Sequence, residues 1–215
     1  GMMLTLLRSV HVSNSQMHLG KWHRFFGKRL SEVTIGIIGI GRIGKGVLEH
    51  LKGFGNPKIL VNDISIKDDI NNKFNVKWSS KEEIYKKSDI VSLHLPLTGE
   101  TKNMIKKNHL LSMKTDAIII NTSRGGIINE SDLYEVMKSG HLSGAAIDVF
   151  NEEPYNGPLK EIERCLLTAH MGSMSIDCRA RMEIEATEEA VRFLTGKKLE
   201  GRVSEGEYEV QRRGL

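Results

Sequence analysis

The sequence holds only two cysteines, Cys165 and Cys178, and their spacing fits no metal site. Cys165 stands in an apolar, strand-like run, where a thiol reads as a buried and inert side chain. No apolar run approaches the ~20 residues of a membrane-spanning helix, which argues against a membrane protein. The opening GMMLTLLRSV makes a poor secretory signal, because its apolar stretch is short and no small-residue cleavage site follows. Basic residues never run longer than two, and no basic stripe interleaved with aromatics stands out. The net charge of +4 therefore does not point to nucleic acid. Internal repeats and low-complexity segments are also missing. Together these absences point to a cytoplasmic globular protein with no metal centre.

What is present is ordinary for such a domain: 215 residues, 39% hydrophobic and 27% charged. That length suits one large domain, or one with appendages. Met3, Leu6, Leu7 and Val10 fall at helical spacing, with no capping residue before them. A polar stretch around GKWHRFFGKRL follows. Strand and helix signals then alternate. Strands are expected at 33–39, 57–63, 89–95, 116–123, 142–150 and 164–170. Helices are expected at 42–55, 80–88, 106–113, 129–140 and about 175–195. Asn129 should cap the fourth of these and Gly140 should stop it. In the last, Ala180, Ile184, Thr187, Val191 and Leu194 share a face. This alternation predicts an α/β fold: a Rossmann-type doubly wound parallel sheet with helices on both faces. Residues 1–32 then form a connecting helix and loop, 33–173 the nucleotide-binding domain, 174–203 a C-terminal helix and 204–215 a polar tail.

Gly39, Gly41 and Gly44 make the pattern G-x-G-x-x-G. Alone the pattern is weak, but here it follows a strand and opens a helix, as its mechanism requires. Gly39 permits the tight turn, Gly41 lets backbone approach a pyrophosphate, and Gly44 lets helix and strand pack closely. The N–H groups of Arg42 and Ile43 then face the phosphates at a helix N-terminus. Asp63 closes the second strand, 19 positions after Gly44. Its carboxylate can accept hydrogen bonds from ribose hydroxyls and would repel a 2′-phosphate, which selects NAD over NADP.

Later strands should end in the same crevice, at HLPLTGET, NTSRGG, IDVFNEEP and TAHMGS. Three of those ends carry Arg124, Glu153 and His170. Hydride transfer to a 2-oxo acid needs a guanidinium for the carboxylate and a proton donor for the carbonyl oxygen. A histidine supplies that proton near neutral pH, and a carboxylate on its other nitrogen orients the ring and favours its charged form. Taken singly, each residue reads as a surface or strand-end side chain. All three beside a nucleotide loop read as a site.

With these residues in view, the chain resembles the D-isomer-specific 2-hydroxyacid dehydrogenases over roughly residues 5–203. IGIIGIGRIG is similar to their nucleotide loop. DIVSLHLPLTGETKNMI is similar to their adenine-side segment, which brings in His94, Pro96 and Thr101 as cofactor neighbours. NTSRGGIINESDL carries the family arginine on Arg124, AAIDVFNEEP the glutamate on Glu153, and TAHMGS the histidine on His170. The resemblance further implies that Asp148 contacts the carboxamide of the nicotinamide, that backbone around Thr122 and Ser123 borders the ring, and that Gly172 is a further cofactor neighbour. The wording of the motifs is most similar to the phosphoglycerate and hydroxypyruvate/glyoxylate branch. Glu153 favours hydroxyacid enzymes over formate dehydrogenase relatives, which lack the pair. Two departures leave the catalytic groups intact: Ala169 stands where proline is common, and Met171 where isoleucine is usual. A third is larger. Family members carry a substrate lobe ahead of the helix where this chain starts, and helix 174–203 would return toward it.

Two readings follow. One is an oxidoreductase, impaired without that lobe, that acts on a small 2-hydroxy or 2-oxo acid. The other is an NAD-sensing module without turnover, similar to corepressors of this family. The resemblance also implies a homodimer built in part on the segment near GKW; the apolar face of the 3–10 helix and the pair Phe25 and Phe26 could serve it or could equally pack on the chain's own core.

Overall fold

The computed structural model describes residues 1–66 and 68–202; the expected tail at 204–215 lies outside the described residues. Helices α1 (Met2–Leu7) and α2 (Val10–His18) come first. The chain continues through β1 (Thr34–Ile38), α3 (Arg42–Leu51), β2 (Lys58–Asn62), α4 (Asp68–Lys73) and β3 (Val76–Trp78). Next are α5 (Lys81–Lys87), β4 (Ile90–Leu93), α6 (Lys107–Ser112), β5 (Ile118–Asn121) and α7 (Glu130–Ser139). Last come β6 (Gly144–Ile147), β7 (Cys165–Leu167) and α8 (Ile176–Leu194).

The seven strands form one sheet in the order β3-β2-β1-β4-β5-β6-β7, and every pairing is parallel. Strand order reverses between β1 and β4, so a crevice opens there at the carboxyl ends. The central strands β1, β2, β4 and β5 are short runs rich in isoleucine, leucine and valine because both of their faces are covered. Successive side chains point to opposite sides. Ile35 and Ile37 enter one core with Leu48 and Leu51 of α3 and Leu6 and Leu7 of α1. Ile38, Val91, Leu93 and Ile119 enter the other, with Ile84 of α5, Leu110 of α6 and Leu133 of α7.

All six expected strands are present, each shorter than its apolar run. The seventh, β3, is a three-residue edge strand, too short to show a period. At the front, Ser9 takes a left-handed conformation (φ 49°) and divides the expected 3–10 helix. The second piece, α2, has no apolar stripe that sequence could reveal. Asn129 caps α7 by accepting the Asp132 N–H at 3.0 Å, and Gly140 stops it at φ 83°. Gly55 (φ 78°) ends the helical stretch begun by α3, after a 3₁₀ turn at Lys52–Phe54. The α8 helix has its expected length, but none of its residues is buried among the described residues.

Candidate active site

β1 runs into Gly39, whose φ of 96° suits glycine. A Cβ there would lie 2.3 Å from the His94 carbonyl oxygen, so the loops after β1 and β4 touch backbone to backbone. At Gly44, in the first turn of α3, a Cβ would lie 2.1 Å from the Gly39 oxygen. Gly41 differs: nothing stands within 4 Å of the position its Cβ would take. That open position adjoins the N-terminus of α3, where Arg42 and Ile43 begin the helix and no side chain caps it. Open space, bare backbone and a positive helix end fit a pyrophosphate. Asp63 sits just beyond β2. Its Oδ2 accepts the Ile40 N–H at 2.7 Å and its Oδ1 the Ser65 N–H at 3.3 Å, which fixes a carboxylate beside the glycine loop.

Beyond β4, His94 is half-buried and its Nε2 lies 2.9 Å from Ser92 Oγ. Burial pushes its pKa down to about 4, so the ring is neutral at pH 7. His94 and Thr122 line a cavity of about 450 Å³ with Met3 of α1 and Val47 and Leu51 of α3. Thr101 Oγ1 donates to the Pro96 carbonyl at 2.7 Å and accepts the Thr98 N–H at 2.7 Å. This hydroxyl thus closes the turn that sets out Pro96.

The ends of β5, β6 and β7 are tied together by polar side chains. Asn121 Oδ1 accepts the Ser123 N–H at 3.1 Å and its hydroxyl at 2.7 Å, while Asn121 Nδ2 donates to the Arg124 carbonyl at 2.9 Å. At Gly125 a Cβ would lie 1.9 Å from the Phe150 oxygen, so the arginine loop rests directly on the loop after β6. Arg124 itself is exposed, with Nη1 donating to the Ser123 carbonyl at 2.6 Å.

Asp148 is buried at the end of β6 and holds the turn that carries the histidine. Its Oδ1 accepts the Thr168 hydroxyl at 2.5 Å and the Met171 N–H at 2.8 Å; its Oδ2 accepts the Gly172 N–H at 3.1 Å. Its carbonyl accepts the His170 N–H at 2.9 Å. Within that turn His170 adopts φ 50°, a left-handed conformation that is costly for a side-chain-bearing residue and persists where the surroundings enforce it. The ring then meets Glu153, with Nδ1 2.9 Å from Oε2. Glu153 Oε1 accepts the Phe150 N–H at 3.1 Å. The His170 hydrogen bond, helped by that amide, holds the Glu153 carboxyl below its usual range. His170 Nε2 keeps no partner among the described residues. The pair opens on a pocket of about 630 Å³ lined by Phe150, Tyr155, Lys160 and Leu167.

The structure therefore joins His170 to Glu153 and sets Arg124 on a neighbouring strand end, outside the lining of that pocket. Asn121 and Gly125 escaped sequence reasoning, and so did the holding role of Asp148. The signal for Asn121 was a polar residue opening NTSRGG directly after a wholly apolar run. Among the described residues no cluster of histidine, cysteine or carboxylate could hold a metal ion.

A doubly wound sheet with a glycine-lined cradle at its switch point and an acid beside it defines a dinucleotide-binding domain, and the later strand ends carry a histidine–carboxylate pair. Residues 1–172 match the family model described as D-isomer specific 2-hydroxyacid dehydrogenase, NAD binding domain. The glyoxylate reductase of Korarchaeum cryptofilum is 35% identical over 204 residues, covering 91% of this chain and 61% of the relative. The D-3-phosphoglycerate dehydrogenase of Methanocaldococcus jannaschii is 34% identical, covering 95% of this chain and 40% of the relative. The D-lactate dehydrogenase of Aquifex aeolicus, solved in complex with NAD and lactic acid, superposes with a TM-score of 0.83 at 27% identity, covering 91% of this chain and 64% of that one. The chain belongs to the D-isomer-specific 2-hydroxyacid dehydrogenase family and carries its NAD-binding domain. It spans between 40% and 61% of the length of these two curated relatives.

Proposed function

We propose that this chain is the cofactor-holding part of a D-2-hydroxyacid dehydrogenase that reduces a small 2-oxo acid, with glyoxylate and hydroxypyruvate the first candidates and 3-phosphoglycerate, in the reverse direction, the next. The 2.9 Å contact between His170 and Glu153 carries the reading, since it supplies an oriented imidazole where an acid catalyst is required. NAD, when bound, supplies or accepts the hydride. Gly39, Gly41 and Gly44 shape its cradle, Arg42 and Ile43 present the helix N-terminus, and Asp63 receives the ribose. Pro96 and Thr101 build the turn assigned to the adenine side. His94 belongs to the same adenine-side segment, Thr122, Ser123 and Asp148 stand on the side assigned to the nicotinamide, and Gly172 is a further cofactor neighbour. Arg124 binds the substrate carboxylate. His170 gives its proton to the carbonyl oxygen as negative charge grows there, and takes it back in oxidation. Glu153 stabilises the imidazolium, and Asp148 keeps the turn in place.

His170 and Glu153 are each well exposed, so water reaches the pair in this chain alone. Closure and substrate orientation contribute heavily to such reactions, and cofactor binding is expected to survive better than turnover. Trp22 and Phe26 stand exposed, and we assign them, with the half-buried Phe25, to a homodimer contact in the cytoplasm. The test is NADH consumption with glyoxylate, hydroxypyruvate and pyruvate. Consumption with at least one acid, giving the D product where that product is chiral, supports the dehydrogenase. Saturable NADH binding with no acid reduced supports the binding module instead.

A further inference from the structure

We infer that Asn156 is a self-modification site, where Gly157 and Lys160 promote conversion of its side-chain amide to a carboxylate at the rim of the His170 pocket. Asn156–Gly157 is the single Asn-Gly step in the sequence. It lies on the exposed turn between Tyr155 and the 3₁₀ segment Pro158–Glu161. Three observations converge on it.

First, the Gly157 N–H is spent on no hydrogen bond among the described residues, so its nitrogen remains available as a nucleophile. Second, Lys160 Nζ donates to Asn156 Oδ1 at 2.7 Å. A cation on that oxygen draws electron density from the amide carbon and stabilises negative charge on the oxygen as the carbon is attacked. Third, packing keeps a side chain off Gly157, the glycine half of the labile step. A Cβ at Gly157 would lie 2.3 Å from Tyr155 Oη. That tyrosine is itself fixed: its ring stacks on Phe150 with centroids 4.1 Å apart, and its Oη accepts the Leu159 N–H at 3.1 Å.

The chemistry needs only water. The Gly157 nitrogen loses its proton and forms a bond to Asn156 Cγ. The Cγ–Nδ2 bond then breaks, and ammonia leaves with that proton. Water opens the resulting five-membered imide at either carbonyl, leaving a carboxylate on the side chain or on the rearranged backbone. No electron is gained or lost. The product exchanges a neutral acceptor for an anion beside Lys160, a residue that lines the same pocket as Glu153 and His170.

The experiment incubates the intact chain at mildly alkaline pH in heavy-oxygen water and follows the Asn156 peptide by mass spectrometry after digestion. A synthetic peptide covering residues 152–163 and the Lys160→Met chain run in parallel, with Asn156→Ser as the blank. The expected result is heavy-oxygen uptake at this position in the folded chain at least as fast as in the free peptide, and several-fold slower in Lys160→Met. A folded chain that keeps its amide while the peptide converts overturns the inference. So does a Lys160→Met chain that matches the wild type.

Discussion

At His170 the backbone matters as much as the side chain. Its φ of 50° turns the ring toward Glu153 only because Asp148 receives four donors, three on its carboxylate and one on its carbonyl, from residues 168–172. The motif TAHMGS announces a histidine but not the turn that aims it; that information sits some twenty positions upstream, at Asp148 and Glu153, which touch it only after folding. Arg124, Glu153 and His170 were legible because each follows an apolar run and the fold gathers strand ends. Asn121 was not legible, because its work is holding other loop atoms. The low-lying Glu153 carboxyl sets a pH prediction. Its depressed folded value means it stays ionised as pH falls through the usual carboxylate range, and the ion pair is lost only when pH drops through that lower value. In Glu153→Gln the imidazolium loses its anion. With that partner gone, the reduction rate at neutral pH falls roughly ten- to a hundred-fold, as steady-state rates of the two chains would record.

At the scale of elements, period and punctuation carried most of the fold. β1, β2, β4 and β5 read clearly because two covered faces demand unbroken apolar runs, and α7 read clearly from its two caps. β3 and α4 did not: an edge strand of three residues and a helix of six are held by neighbours rather than by their own pattern. The apolar stripe of α8 shows the converse. Ile184, Val191 and Leu194 follow a helical face, yet they stand exposed among the described residues. The β4 end carries a stability prediction through His94. Its folded pKa of about 4, against an ordinary 6.5, means the unfolded chain binds the extra proton between those values. Stability is then full above pH 6.5 and falls as pH drops toward 4, by about 3 kcal/mol in all. Urea midpoints measured across that window should fall with pH in the wild type and change much less in His94→Gln.

For the whole molecule, the switch point between β1 and β4 marks where a ligand crevice opens; alternation and right-handed crossovers predicted a doubly wound sheet, and its strand order comes from the structure. The family match agrees with the doubly wound fold, and the proposed NAD cradle was read from three glycines and one acid. Specificity for one acid was not legible. In the proposed reading Arg124 and His170 set the reaction type; Arg124 is exposed and the His170 pocket is open, and neither names one acid.

Cofactor grip and proton donation are proposed to reside in separable residues of this chain. That separation is probed by measuring NADH binding and NADH-dependent reduction of glyoxylate side by side in the wild type and in His170→Ala. Near-equal NADH affinity is expected in the two chains, with reduction at least about a hundred-fold slower in the variant. Equal reduction rates, or loss of NADH binding in a folded His170→Ala chain, would refute the separation.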